Sequence, residues 1–559
     1  MTEQSAPIPR RTALQLAAAA GAGAALASVP ARAAATPPRT PPGSTGPRFL
    51  HGVASGDPLP DAVVLWTRVT PRPGDDPGSG RGPVVDVTWE VSTDAQFRRI
   101  VRSGTVRTGP DRDHTVKVDA TGLPAGTWFW YRFRCRGATS PVARTRTAPA
   151  HSAAVPRLRM AVVSCANWQA GWFTAYRHLA RRRDLDLVLH LGDYLYEYAP
   201  GEYQARDVVV RPHDPPREMT TLADYRRRHA QYKSDPDLQA LHAVAPWVVT
   251  WDDHESANDA WAEGAENHTP GAEGEWRQRR SSAQRAYAEW MPVRYEAGGR
   301  LYRRLRFGRL ATLSMLDLRT YRDEQVGSPV DPALGDPDRT ITGREQFRFL
   351  LDGLADRQVQ WKLVGNPVMI TPVRFPSALD ARLAEGIGTL VDAPLPPVQG
   401  APYNVDQWDG YPVERAKVLG HLRDRGIRDT VFLTGDIHSG WACDLPIDGL
   451  TYPVDGNSVG VELVCTSVTS DNLDDITNSP PRTTSLAVET AFKANNPQIK
   501  YLDFDSHGFS VLEVTPAGAQ MDWYVLTDRT DPNAAAVHSV SYRVPAGTQQ
   551  VEPAPRRLA

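Results

Sequence analysis

The spacing of apolar residues changes near residue 150. Before it, short runs rich in Val, Thr and Trp occupy 61–69, 85–91, 100–106 and 114–118. Residues 127–134 (TWFWYRFR) alternate aromatic and polar positions, the period of a half-buried strand. Turn residues separate these runs at sandwich-like intervals, so 48–150 reads as a small all-β sandwich without visible chemistry. From about residue 154, apolar strand-like runs alternate with helical periodicity. The pattern predicts helices over 174–183, 222–243, 276–290, 344–355 and 412–425, with Pro236 breaking the second. Residues 508–515 and 520–526 read as two closing strands around a Pro-Ala-Gly turn. An α/β domain over 154–527 is therefore expected. Residues 528–559 are Pro-rich, lack helical periodicity and read as a C-terminal tail.

Ahead of both textures, residues 1–35 have the layout of an export signal. Arg10 and Arg11 form a twin-Arg pair, an Ala/Gly-rich apolar stretch runs over 13–29, and Ala31-Arg32-Ala33 offers a cleavage site. This predicts passage through the twin-arginine export machinery and a secreted, cell-surface or periplasmic destination; a plain secretory signal is the alternative. The apolar run is too weak and Gly-rich for a permanent membrane anchor. A linker rich in Pro, Thr and Gly follows over 36–47.

At 559 residues the chain is long enough for two or more domains. Its formal charge of −2 implies no basic surface, so nucleic acid is not expected as a stable partner. Proline is abundant, at 48 residues, and the Pro-rich span 375–410 is long enough to be a functional loop or lid. Four cysteines are too few for a disulfide scaffold; Cys443 and Cys465 either pair or are buried thiols in strands.

The chemistry lies in five apolar runs after residue 154, each ending in a residue fit to bind metal. The run 158–164 ends at Cys165. The run 185–191 ends at Gly192-Asp193, with Tyr196 one turn on. Residues 247–251 end at Asp252-Asp253-His254-Glu255, 361–365 at Asn366, and 431–434 at Gly435-Asp436-Ile437-His438. In layered α/β proteins, ligands gather at the carboxyl ends of strands. Any one of these endings is ordinary turn chemistry; five together are hard to attribute to turns. Phenolate and thiolate are anionic donors that stabilise a trivalent ion, so Cys165, Asp193, Tyr196 and His438 point to iron(III), Fe3+. Asp253, Asn366 and Asp436 offer only oxygen, which suits Ca2+, Mg2+ or Mn2+ over Zn2+. Asp193 has two oxygens and can bridge both metals.

Gly192-Asp193-Tyr194-Leu195-Tyr196 fits the G-D-x-x-Y motif of purple acid phosphatases. Asp252-Asp253-His254-Glu255 stands where that superfamily has G-N-H-E, Gly435-Asp436-Ile437-His438 stands for G-H-x-H, and Cys165 replaces the usual first Asp. With the segment from Phe49 to Pro58 and the 316–322 motif LDLRTYR, these departures closely resemble the PhoD-like alkaline phosphatase and phosphodiesterase family over nearly the whole chain after the signal. The resemblance implies a metallophosphoesterase-type two-sheet α/β sandwich preceded by a small fibronectin/Ig-like β-sandwich. It implies iron at Cys165, Asp193, Tyr196 and His438, and calcium near Asp193, Asp253, Asn366 and Asp436. Family members carry a second calcium whose ligands the sequence does not assign.

Other residues complete the expected site. The resemblance implies that His254 contacts phosphate and protonates the leaving group; the alternative is a structural histidine. His213, in a Pro-rich loop, is a candidate acid or phosphate contact, or an inert loop residue. Arg319 and Arg322 either clamp phosphate oxygens or pair with Asp317 or another carboxylate. Asn167 faces phosphate or serves a turn. His190, alternating within a strand, reads as core or as support behind a ligand.

The expected reaction is hydrolysis of phosphate monoesters and diesters by a metal-activated hydroxide. A dedicated phosphodiesterase or phospholipase D-type enzyme on membrane lipid is the alternative. A noncatalytic metal-binding surface protein is a remote third, disfavoured by the open, oxygen-rich donor set.

Overall fold

The computed structural model describes residues 46–559 except 204–205, 207, 377–378, 380 and 391–399. The export signal, residues 36–45 of the 36–47 linker and part of the 375–410 span lie outside the described residues.

Two large sheets dominate. The first is ten-stranded and runs, edge to edge, through Glu552–Pro553, Ala536–Pro545, Gly518–Leu526, Gly508–Thr515, Leu158–Val163, Leu187–Leu191, Trp247–Thr250, Val53–Gly56, Ala62–Arg68 and Thr115–Thr121. The second is seven-stranded: Arg303–Phe307, Ala311–Met315, Trp361–Asn366, Thr430–Thr434, Ser458–Val464, Gly440–Pro446 and Ile499–Asp503.

Alternation along the strands explains how the layers stack. In Leu158–Val163, Met160 and Val162 join an apolar core with Leu313, Leu363, Val431 and Leu463 of the other sheet. Ala161 and Val163 point the opposite way, into a core shared with the helices Thr174–Ala180, Leu222–Lys233, Pro236–His242 and Trp276–Trp290. Strands buried on both faces read as continuous apolar runs, because a side-chain period of two then selects no polar face. The helices Arg344–Leu354 and Pro412–Asp424 cover the outer face of the second sheet through Leu350, Leu354, Val418 and Leu422.

Most helix limits follow from local signals. Thr221 and Asp224 form a capping box at the start of Leu222–Lys233. Pro236 opens the next helix at its first turn, where its missing N–H costs nothing, and Asp235 caps it. The helix expected over 276–290 forms at Trp276–Trp290. Helices at Ala381–Leu390, inside the Pro-rich span, and at Thr484–Asn495 were not among those expected.

Two features of the sheets concern how these regions join. The N-terminal β region is not self-contained. Its strands Val53–Gly56, Ala62–Arg68 and Thr115–Thr121 extend the ten-stranded sheet, and Gly56 pairs with Trp247. A separate sheet built on Ile100–Thr108, Val85–Ser92 and Trp128–Cys135 packs on that extension through Val63, Leu65, Val87, Phe129 and Tyr131. Residues 528–559 are not a free tail either: Ala536–Pro545 pairs antiparallel with Gly518–Leu526, and Glu552–Pro553 follows at the edge. Its exposed positions near the sheet edge carry no long apolar run, so periodicity gave little signal. All four cysteines are free and buried, which leaves Cys443 and Cys465 as core thiols.

Candidate metal centre

The parallel strands Leu158–Val163, Leu187–Leu191 and Trp247–Thr250 end side by side, and a bridge between Ser164 and Ser467 ties this edge to the second sheet. Beyond the strand ends the backbone turns sharply. Cys165 (φ 58°), Asp193 (53°), Asp436 (64°) and His438 (54°) all adopt left-handed conformations. Such a conformation costs a non-glycine residue about 1–3 kcal/mol and persists only where its surroundings enforce it. Gly192 is required here: a Cβ on it would lie 2.5 Å from Asp252 Cβ, so only glycine lets the two strand ends approach.

These turns bring together distant side chains. Ligand atoms of Cys165, Asp193 and His438 lie within 4.8 Å of one another, and those of Asp193, Asp253 and His254 form a second group on the same criterion. The Tyr196 hydroxyl is 3.0 Å from Asp193 Oδ2 and 3.3 Å from His438 Nε2. Asp193 thus belongs to both groups, and its Oδ1 is buried with no hydrogen-bond partner.

Burial pushes the Asp193 carboxyl well above its ordinary range, and Asp253, Asp252 and Glu255 add to the effect against His254. It does the same to the Cys165 thiol, with Asp193 beside it, and to the Tyr196 phenol, with Asp193 and Cys165 beside it. Donors that repel one another's charge fit a site completed by a multiply charged cation, which reverses that logic.

Neighbouring groups aim the donors. His438 Nδ1 lies 2.7 Å from the Asp471 carbonyl, which accepts its N–H and leaves Nε2 facing the cluster. His254 Nδ1 is 2.8 Å from Glu197 Oε2. Although burial opposes its charge, Asp253, Glu197 and Asp193 hold the His254 pKa well above 6.5. Glu255 accepts hydrogen bonds from the backbone N–H groups of Asp193 (3.2 Å), Tyr194 (2.6 Å) and Asp252 (2.9 Å), bolting two strand ends together.

Several expected residues are engaged elsewhere. Arg319 donates to Asp252 Oδ1 (2.5 Å), Asp406 Oδ1 (2.8 Å) and Asp436 Oδ1 (3.5 Å), and lies 3.7 Å from Asp253 Oδ2. Arg322 is fully buried against Asp406. The arginines therefore pair with Asp252 and Asp406, whereas Asp317 accepts from Trp251 Nε1 and the N–H groups of Arg319 and Thr320. Arg319 borders the candidate metal-binding carboxylates; Arg322 serves the Asp406 loop.

Asn167 caps a short 3-10 turn by accepting from Gln169 N–H and donates to Tyr203 O, which fits the turn role. His213 is buried with one ring nitrogen on Tyr198 O and the other on Tyr232 OH, so both nitrogens are engaged within the protein. Asn366 accepts from Trp408 Nε1 and donates to Val368 O and Thr434 Oγ1, which makes it a brace for the loop after its strand. His190 is core, stacked on Trp247 and bonded to Tyr176.

Sequence reasoning missed Glu197, Asp406, Ser470 and Asp471 altogether. Glu255 stood in a recognised motif, and its adjacency to Asp252 and Asp253 was the available signal.

The sequence matches the family model for the PhoD-like phosphatase over residues 160–523 and that for the PhoD-like phosphatase N-terminal domain over 33–149. It is 37% identical over 503 residues to alkaline phosphatase D of Bacillus subtilis (strain 168), covering 88% of this chain and 80% of that protein. A solved structure of PhoD matches the fold with a TM-score of 0.81 and 35% identity, covering 93% of this chain and 94% of that one.

Proposed function

The chain belongs to the PhoD-like phosphatase family and is a hydrolase of phosphoester bonds; we propose that it works with iron(III) and calcium in a metallophosphoesterase-type two-sheet site. Iron(III) is assigned to Cys165, Asp193, Tyr196 and His438, and calcium to oxygens of Asp193, Asp253 and Asp436. The observation that carries this reading is the Asp193 carboxylate, which lies within both the Cys165–His438 group and the Asp253–His254 group and has one oxygen buried and unpartnered.

When bound, the metals supply Lewis acidity for the phosphoryl group and activation of the attacking water. The protein does the rest. Asp253 and Asp436 position the charge that meets the phosphate oxygens. Arg319, held among them, balances their negative charge. His254, oriented by Glu197, carries a proton toward the leaving oxygen. The site requires no covalent phosphoenzyme, and Ser164 and Ser439 are not needed as nucleophiles.

A dedicated phosphodiesterase or phospholipase D-type enzyme on the same scaffold is the second reading. Under that reading, diesters or phospholipid head groups are preferred over small monoesters. Residues 1–35 are proposed to direct export through the twin-arginine machinery; replacing Arg10 and Arg11 by Lys together should leave the precursor inside the cell, and normal export would favour the plain secretory route. Among the described residues, no helix is long and apolar enough to cross a membrane.

The test is metal analysis of the purified protein with its visible spectrum, followed by side-by-side assays of a monoester, a bis-ester and phosphatidylcholine. A tyrosinate-to-iron(III) band that disappears in Tyr196→Phe is expected, with activity lost to calcium chelators and restored by Ca2+. A colourless, fully active protein containing only zinc overturns the iron assignment. Restoration by Zn2+ alone overturns the calcium assignment.

A further inference from the structure

The loop after the strand Ser458–Val464 contacts three of the proposed iron donors from behind. The backbone N–H groups of Thr469 and Ser470 donate to the Cys165 carbonyl, each at 3.3 Å, and Ser470 Oγ lies 2.9 Å from the same oxygen. Ser470 Oγ also lies 2.6 Å from the Tyr196 hydroxyl. The Asp471 carbonyl receives His438 Nδ1 at 2.7 Å. One loop therefore sets the strand end of Cys165, the ring of Tyr196 and the tautomer of His438.

That loop has few apolar anchors of its own, but it is gripped by a residue remote in sequence. Arg529, 4% exposed, donates through Nη1 to the Thr469 carbonyl and through Nη2 to Asp471 Oδ1, with Asp475 Oδ2 at 3.0 Å. The Arg529 carbonyl in turn accepts Trp172 N–H at 2.8 Å, fixing the Arg529 backbone to the segment that follows Cys165. Asp475 is shared with Arg206 (2.7 Å) and His507 (2.9 Å), so it stays paired on every side. Arg529 lies in the C-terminal segment that the sequence presents as a tail.

We propose that Arg529 is a positioning residue for the metal centre, acting through the 469–471 loop to hold Cys165, Tyr196 and His438 in ligating geometry. The guanidinium fork bridges a backbone carbonyl and two carboxylates at once, which lysine's single ammonium cannot reproduce. Groups that orient metal ligands typically contribute 10–100-fold to metal affinity. This inference rests on the metal-centre reading above.

The experiment uses the full chain with its metals, comparing wild type with Arg529→Ala, Arg529→Lys and Arg543→Ala. Arg543 pairs with Glu552 in the same C-terminal segment, half-exposed, and serves as the control. Iron per chain after a timed chelator challenge, the position of the tyrosinate band and the melting temperature are read together. Arg529→Ala should lose iron about 10–100-fold more readily with a displaced band. Arg529→Lys should recover part of that loss, and Arg543→Ala should match wild type.

A folded Arg529→Ala protein with unchanged iron retention and band overturns the proposal, whatever its melting temperature. Should Arg529→Ala not fold, Ser470→Ala removes the hydroxyl that meets both Tyr196 and the Cys165 carbonyl. A shifted band there, restored in Ser470→Thr, supports the loop's role, and an unshifted band overturns it. Wild-type protein that neither contains nor takes up iron overturns the centre itself, and this inference with it.

Discussion

Asp193 and Glu462 both bury a carboxyl group in the layered domain, one after a strand of the ten-stranded sheet and one within a strand of the seven-stranded sheet. Burial raises the pKa of each. Their partners differ. Glu462 accepts from the N–H groups of Ile370 (2.9 Å) and Thr371 (2.8 Å) and from the hydroxyls of Thr371 and Thr434, both at 2.6 Å. It fastens the loop after Trp361–Asn366 and has no lone pair left to offer. Asp193 sits on a left-handed residue among other acids, with one oxygen unpartnered. A buried carboxylate with all its partners holds structure together; one whose partners are withheld is prepared for an ion.

The sharpest way to break this comparison is Asp193→Asn. It removes a charged donor shared by both groups, so phosphoesterase activity should fall on the order of 10³-fold with metal content. Thermal stability of the metal-free protein should hold or rise, because the repulsion of Asp193 with Asp253, Asp252 and Glu255 is relieved. A metal-replete, active Asp193→Asn would erase the distinction. Metal analysis, steady-state assay and calorimetry on the same preparation check it.

Cys165 tests the same idea with softer chemistry. Cys165→Ser replaces a thiolate donor by an alcohol that stays neutral at ordinary pH, so iron content and turnover should collapse while the fold persists. Cys165→Asp restores an anionic donor and should regain part of the iron. Were Cys165 only packing, Asp would be the worse of the two, since it buries an unpaired carboxylate. Iron per chain and rate in both variants decide between these outcomes.

Glu462→Gln should show the opposite profile. It keeps the shape but disturbs a satisfied acceptor network, so stability should drop by about 1–3 kcal/mol while metal content and kcat stay close to wild type. Denaturant unfolding beside metal analysis measures both. A Glu462→Gln protein that loses its metals before it loses stability would show that the two carboxylates are not separable.

The smallest effect concerns the Glu197–His254 pair. The folded pKa of Glu197 lies below its ordinary 4.5, so its contribution is present above that value and fades as pH falls through the depressed folded pKa. The folded pKa of His254 lies above 6.5, so its contribution is complete below 6.5 and fades as pH rises through the raised value. Stability owed to the pair is therefore greatest between about 4.5 and 6.5. In Glu197→Gln, melting curves in the metal-free state should lose part of that window, and unchanged pH dependence would remove the pair from the account.

What the sequence determined was local. Apolar period marked the strands buried on both faces, capping residues and Pro236 marked helix limits, and Gly192-Asp193 marked a turn that only glycine allows. These features depend on the backbone within one turn or strand, so a short window of residues contains them. Which of the chemically able residues meet was decided by packing. Arg319 meets Asp252 across 67 positions, and Ser470 meets Tyr196 across 274. Asn167 and His213 have the right chemistry, but a cap and a pair of loop hydrogen bonds occupy them. Arg529 has no motif around it, and it acquires its partners only when the last strands close the sheet. Partners separated by most of the chain leave no periodic trace, because their distance is set by how the two sheets stack and not by any spacing along either strand.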